Sequence, residues 1–192
     1  MERETDDGKR IREQAFPNPE EPIMSGIKEI FIRIERCVGC HTCEVACAVE
    51  HSASRQLLAA ISEPVKPRKR LHVEAALSRS VPVLCRHCEN APCVAVCPTG
   101  ATYRDDKGQL VLQEHLKCIG CMLCVQACPF GMMGHRAESR ITLKCDRCPE
   151  RQRPACVDAC PTKALEYADS DLHAKSKRRA VVEALVSSYL PG

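Results

Sequence analysis

Sixteen cysteines, all of them in ordered groups of four, constrain this 192-residue chain more than any other feature. The groups are Cys37, Cys40, Cys43 and Cys47; Cys85, Cys88, Cys93 and Cys97; Cys118, Cys121, Cys124 and Cys128; and Cys145, Cys148, Cys156 and Cys160. The first and third read C-x2-C-x2-C-x3-C, the second C-x2-C-x4-C-x3-C-P and the fourth C-x2-C-x7-C-x3-C-P. Pro98, Pro129 and Pro161 follow the last Cys of three groups, and Ala48 stands there in the first. Aromatic residues are 3% of the chain and Trp is absent, so a large apolar core is not what holds it together. Cysteine at this density marks a cross-linked or metal-bound scaffold.

Disulfides require an oxidising compartment. Residues 1–26 are rich in charge, with no apolar run of signal-peptide length and no twin-arginine pair, and no later stretch is apolar enough to span a bilayer. The expectation is a cytoplasmic chain without a membrane span, whose thiols stay reduced and serve as metal ligands. Zinc is the competing reading, since two C-x2-C knuckles suffice for a four-cysteine zinc site. The third Cys in the same register, present in the first and third groups, is superfluous for zinc. It is needed to wrap three corners of a 4Fe-4S cubane, whose fourth corner a tight loop cannot reach.

The motifs therefore work in pairs. In two-cluster ferredoxins the last Cys of one run, the one before Pro, ligates the partner's cluster. The chain also repeats itself: Arg36-Cys-Val-Gly-Cys40 answers to Lys117-Cys-Ile-Gly-Cys121, and Cys93-Val-Ala-Val-Cys-Pro-Thr-Gly-Ala101 to Cys156-Val-Asp-Ala-Cys-Pro-Thr-Lys-Ala164. Ala101 to Leu112 reads as two short strands about a turn at Asp105-Asp106-Lys107-Gly108, which joins motifs two and three. Motif one is left to pair with motif four, the strand-like run Ile27 to Ile34 lying against Ala164 to Ala168. The expected ligand sets are Cys37, Cys40, Cys43, Cys160; Cys145, Cys148, Cys156, Cys47; Cys85, Cys88, Cys93, Cys128; and Cys118, Cys121, Cys124, Cys97. The expected fold class is α+β, with tandem two-cluster ferredoxin-like units of small β-hairpins and short helices around four 4Fe-4S clusters.

The formal charge of +3 is weak evidence for a nucleic-acid partner. Four clusters at roughly −2 each would bring the total to about −5, so the basic runs at Lys66 to Arg70 and Lys175 to Arg179 read as compensation. His41 and His87 lie inside ligand loops, where they are expected beside the ligands, and the other histidines show no spacing of interest. Val38, Ile119, Met122 and Val157 are expected to shield sulfurs from water. No P-loop, dinucleotide-binding glycine motif or nucleophile elbow is present, and no catalytic residues are assigned.

With these motifs, the stretch 28–167 resembles the four-cluster ferredoxin-like subunits of multisubunit oxidoreductases. The run Cys37-Val-Gly-Cys-His-Thr-Cys-Glu-Val-Ala-Cys47, together with Cys85-Arg-His-Cys-Glu-Asn-Ala-Pro-Cys93, is most similar to the iron-sulfur subunit of carbon monoxide dehydrogenase. Relatives serve tungsten aldehyde oxidoreductase, hydrogenase, formate dehydrogenase and formate hydrogenlyase complexes. The resemblance implies a non-catalytic electron-transfer subunit. Its partners would be a catalytic subunit, either nickel carbon monoxide dehydrogenase or a tungsten/molybdenum pterin enzyme, and an electron-accepting flavin, hydrogenase or ferredoxin partner. A freely diffusing polyferredoxin and a self-associating wire are the alternatives. The expected layout is an N-terminal arm over 1–26, a four-cluster domain over 27–168 and a C-terminal helical tail over 169–192. Within that domain the inner unit is 82–132, the outer unit 27–51 plus 140–168, and the connecting insertion 52–81. Val181, Val182, Leu185 and Val186 form one side of the tail, expected to pack onto the domain, with an interface as the alternative.

Overall fold

The structure is a computed structural model that describes residues 26–189 except Gly108, Ala137 and Ser139. The N-terminal arm, apart from Gly26, therefore lies outside the described residues, as do the turn glycine at 108 and residues 190–192.

Short elements alternate along the chain, because each cysteine motif interrupts any longer helix or strand. Strand β1 (Lys28–Ile32) leads through a 3-10 turn (Ile34–Arg36) into the first motif and helix α1 (Thr42–Glu50). Helix α2 (Leu57–Ser62) and the hairpin β2 (His72–Ala76) and β3 (Arg79–Val83) follow, then α3 (Pro92–Ala95) inside the second motif. The hairpin turn is made by Leu77 and Ser78, both at positive φ (49° and 63°), the primed geometry that matches strand twist. Strands β4 (Thr102–Arg104) and β5 (Val111–Gln113) form the hairpin before a second 3-10 turn (His115–Lys117), the third motif and α4 (Leu123–Ala127). Strands β6 (Gly134–Arg136) and β7 (Ile141–Leu143), helix α5 (Ala155–Asp158), strand β8 (Leu165–Asp169) and the long helix α6 (Ser170–Tyr189) complete the chain.

The sheets are four two-stranded antiparallel ladders. Three join neighbours in sequence; the fourth pairs β1 with β8, Ile30 opposite Tyr167, and so ties the start of the described chain to its end. The sequence repeat is repeated in the backbone. Cys37 and Cys118 share one conformation (φ −77°, ψ 119°), and His41 (φ 58°, ψ 6°) and Met122 (φ 63°, ψ 6°) both turn left-handed to start α1 and α4.

The main apolar cluster is small and includes the thiols themselves: Cys43, Cys47 and Cys156 pack with Leu71, Leu84, Val157 and Leu165. Leu71 is 1% exposed and contributes on the order of 2–3 kcal/mol by leaving water. Helix α6 departs from expectation. His173 stacks on Phe31 at its base, with ring centroids 3.7 Å apart, but Val181, Val182, Leu185 and Val186 are all exposed. The helix follows β8 directly in the chain, and none of its residues is buried among the described residues. No helix among the described residues is long and apolar enough to cross a membrane.

Candidate iron-sulfur centre

All sixteen cysteines are free thiols. In each motif a left-handed turn swings the loop so that successive thiols converge, at His41 and Met122 in the first and third, and at His87 (φ 47°) and Arg147 (φ 61°) in the second and fourth. Gly39 and Gly120 hold the matching positive φ (68° and 67°), and each has another segment pressed against it: Ser80 in one case and the Arg140 backbone in the other.

Cys85, Cys88, Cys93 and Cys128 line one small cavity, closed on its apolar side by Met132, Met133 and Phe130. Cys97, Cys118, Cys121 and Cys124 line another, with Ile119, Met122 and Thr142. Cys43 lies within electrostatic reach of Cys160 and Cys40, and Cys47 within reach of Cys145 and Cys148. Thiol neighbours also link the groups: Cys156 with Cys43, Cys145 with Cys85, and Cys93 with Cys124. The groups thus adjoin in succession, from the one holding Cys43 to the one holding Cys124. Cys40 and Cys121, at the two ends, are exposed, whereas Cys47, Cys145 and Cys156, in the middle, are buried.

Burial raises the Cys43 thiol to about 11, and nearby Cys160 and Cys40 add to it. Burial likewise pushes Cys47 to about 12 and Cys145 to about 11, and it raises Cys156 further still. Buried thiols crowded together do not ionise by themselves; a cationic metal core that replaces their protons is what such a donor set fits. Backbone N–H groups are already aimed at the sulfurs. Arg70 donates to Cys47 Sγ (3.3 Å), Thr102 to Cys97 Sγ (3.4 Å), Met132 to Cys128 Sγ (3.3 Å), Arg147 to Cys145 Sγ (3.4 Å) and Ala164 to Cys160 Sγ (3.2 Å). The repeated Cys-Pro-Thr sequence sets Thr99 Oγ1 3.8 Å from Cys97 Sγ and Thr162 Oγ1 3.7 Å from Cys160 Sγ. Hydrogen bonds to sulfur stabilise added negative charge there.

Two expectations about the surroundings need correction. Val157 is buried, and Ile119 lines the cavity of Cys97, Cys118, Cys121 and Cys124 though its outer side is exposed, but Val38 is 67% exposed, because it sits on the outer lip of its loop, beside the exposed Cys40. His51 is adjacent to the thiols despite its unremarked spacing. Its Nδ1 lies 2.7 Å from the Cys47 carbonyl oxygen and 3.7 Å from Cys47 Sγ, and its Nε2 is 3.1 Å from Asp146. Arg70 closes the same network, its guanidinium 2.5 Å from Asp146. The only local signal for His51 was its place four residues after Cys47, one helical turn on. Of the two histidines picked from sequence, His41 is exposed and meets Glu44 at 3.0 Å. His87 is buried and accepts the Val111 N–H at 3.1 Å.

A fold of short hairpins and helices around clustered free cysteines defines an iron-sulfur protein of the ferredoxin-like class, and the chain's relatives agree. Residues 34–50 match a 4Fe-4S binding domain and residues 78–170 a 4Fe-4S dicluster domain. An iron-sulfur protein of Rhodospirillum rubrum is 36% identical over 185 residues, covering 86% of this chain and 96% of that one. The electron transport protein HydN of Escherichia coli is 40% identical over 167 residues, 77% of this chain and 93% of that one. The thiosulfate reductase electron transfer subunit PhsB of Salmonella typhi is 39% identical over 142 residues, 71% and 73% respectively. The chain belongs to this family of 4Fe-4S ferredoxin-like electron-transfer proteins.

Proposed function

We propose that the chain holds four 4Fe-4S clusters in tandem ferredoxin-like pairs, motif two with three and motif one with four, and relays single electrons between a catalytic oxidoreductase subunit and an acceptor. A bound 4Fe-4S cluster supplies one-electron redox chemistry. The chain's own part is to hold the thiols, aim N–H groups at them and keep water from the middle of the path. The observation that carries the reading is the succession of thiol neighbours, which runs from exposed Cys40 through buried Cys156 and Cys145 to exposed Cys121. Exposed thiols occur in the two end groups and in neither middle group, which suits a relay, because each end can meet a partner.

Among catalytic partners, the resemblance of the first two cysteine loops favours the carbon monoxide dehydrogenase type. Relatives named as thiosulfate reductase and formate hydrogenlyase subunits support a second reading, the same relay beside a molybdenum or tungsten pterin enzyme or a hydrogenase. Nickel against tungsten or molybdenum in a co-purified complex decides between them.

The pairing is tested by iron content. Wild-type protein should hold about 16 iron atoms per chain. Cys97 and Cys121 belong to one quartet in this reading, so the double variant Cys97→Ala/Cys121→Ala should lose about four irons, no more than either single variant. A loss of about eight would mean that each motif binds its own cluster and would sink the pairing.

A further inference from the structure

Lys144 is 3% exposed and directly precedes Cys145. Its Nζ donates to the Cys145 carbonyl at 2.7 Å and to the Val111 carbonyl. Among the ion pairs of the described residues, Lys144 appears in none. Carbonyl dipoles alone are poor compensation for a buried ammonium, which ordinarily needs an anion.

The groups around it name that anion. Lys144 lines the cavity of Cys85, Cys88, Cys93 and Cys128 and touches the backbone of Cys145, which belongs to the adjoining group. The other polar side chains on that cavity supply no anion: His87 accepts the Val111 N–H at 3.1 Å, and the exposed Arg86 is itself a cation.

The chain contains its own control. Leu84 stands directly before Cys85 as Lys144 stands before Cys145, each at the end of a hairpin, β2–β3 in one half and β6–β7 in the other. Leu84 is 5% exposed and packs among Cys43, Cys47 and Cys156. An apolar side chain therefore fills this place in one half of the duplicated chain, and the strand geometry does not demand a cation in the other.

We infer that Lys144 is a fixed positive charge shared by the two central cysteine quartets, placed to raise the reduction potentials of the groups they hold. The inference rests on the four-cluster reading. An electron arriving at either quartet adds negative charge within reach of a buried ammonium, where the surrounding dielectric is low and the attraction correspondingly strong. The effect is largest at the quartet with Cys93, whose cavity Lys144 lines, and absent at the two outer quartets.

The test is a redox titration of full-length Lys144→Met and Lys144→Arg, followed by EPR. In Lys144→Met, two of the four midpoint potentials should fall and two stay. In Lys144→Arg all four should keep their wild-type order. Four unchanged potentials in a fully loaded Lys144→Met, or one equal shift of all four, would overturn the inference. If Lys144→Met loads less iron than wild type, Lys144→Arg decides: full loading there supports a charge role, and deficient loading assigns Lys144 to packing and overturns it. Iron and sulfide counts on wild-type protein separate this outcome from failure of the four-cluster reading itself.

Discussion

His51 and Asp146, 95 residues apart, meet at 3.1 Å beside the central thiols, and Arg70 reaches the same carboxylate from a third segment. Burial pushes the Asp146 carboxyl up, yet the His51 hydrogen bond, the Arg70 charge and the Cys148 N–H together hold it well below the usual carboxylate range. A carboxyl lowered in the folded state contributes stability above its unfolded value of about 3.9, and that contribution fades as pH falls below it. Asp146→Asn should cost about 2 kcal/mol at neutral pH, because it leaves Arg70 half paired. The gap between wild type and variant should shrink between about pH 4 and the lowest pH the protein survives. Paired rates of visible bleaching at fixed temperature across pH check this, since cluster loss makes unfolding irreversible, and a gap independent of pH would refute it.

Gly39 and Gly120 are equivalent in the repeat but not in cost. Both lose about 1–2 kcal/mol on becoming Ala, from their positive φ alone. At Gly39 the added methyl meets Ser80 Oγ at 2.6 Å, which a rotamer change relieves, whereas at Gly120 it meets the backbone carbonyl of Arg140, which cannot step aside. Gly120→Ala should therefore lower the melting temperature more than Gly39→Ala. Equal shifts would argue against the contact.

Leu71→Ala removes a fully buried side chain from the cluster that holds Cys43, Cys47 and Cys156. It should cost about 2–5 kcal/mol. Because cluster loss makes unfolding irreversible, the readout is the rate of visible bleaching at fixed temperature, which should rise.

Truncation within α6 should do little to the rest of the fold. Ending the chain after Lys175 keeps the His173–Phe31 stack and removes only exposed turns. Iron content should match wild type and stability should move by no more than about 0.5 kcal/mol, as judged by the same bleaching assay. A large loss would mean that the exposed valines and leucines pack somewhere in solution.

The sequence by itself determined what depends on short-range order. The spacing of thiols within a motif, the hairpin between Thr102 and Gln113, and the strand character of Lys28 to Ile32 are all consequences of neighbours a few residues apart. The repeat was legible for the same reason, since equal loops take equal backbone angles at Cys37 and Cys118. Only the tertiary structure decided what depends on segments arriving from far away. Val38 reads as a shield until its loop is folded and its outer lip faces water. The apolar side of α6 reads as a packing face until the fold leaves Val181, Val182, Leu185 and Val186 exposed. His51 and Asp146 carry no mark of each other in the chain. Lys144 looks like one more surface lysine until β7 carries it inside, to a place where its counterpart in the other half is Leu84; burial and the company of thiols are properties of the assembled halves and not of either motif alone.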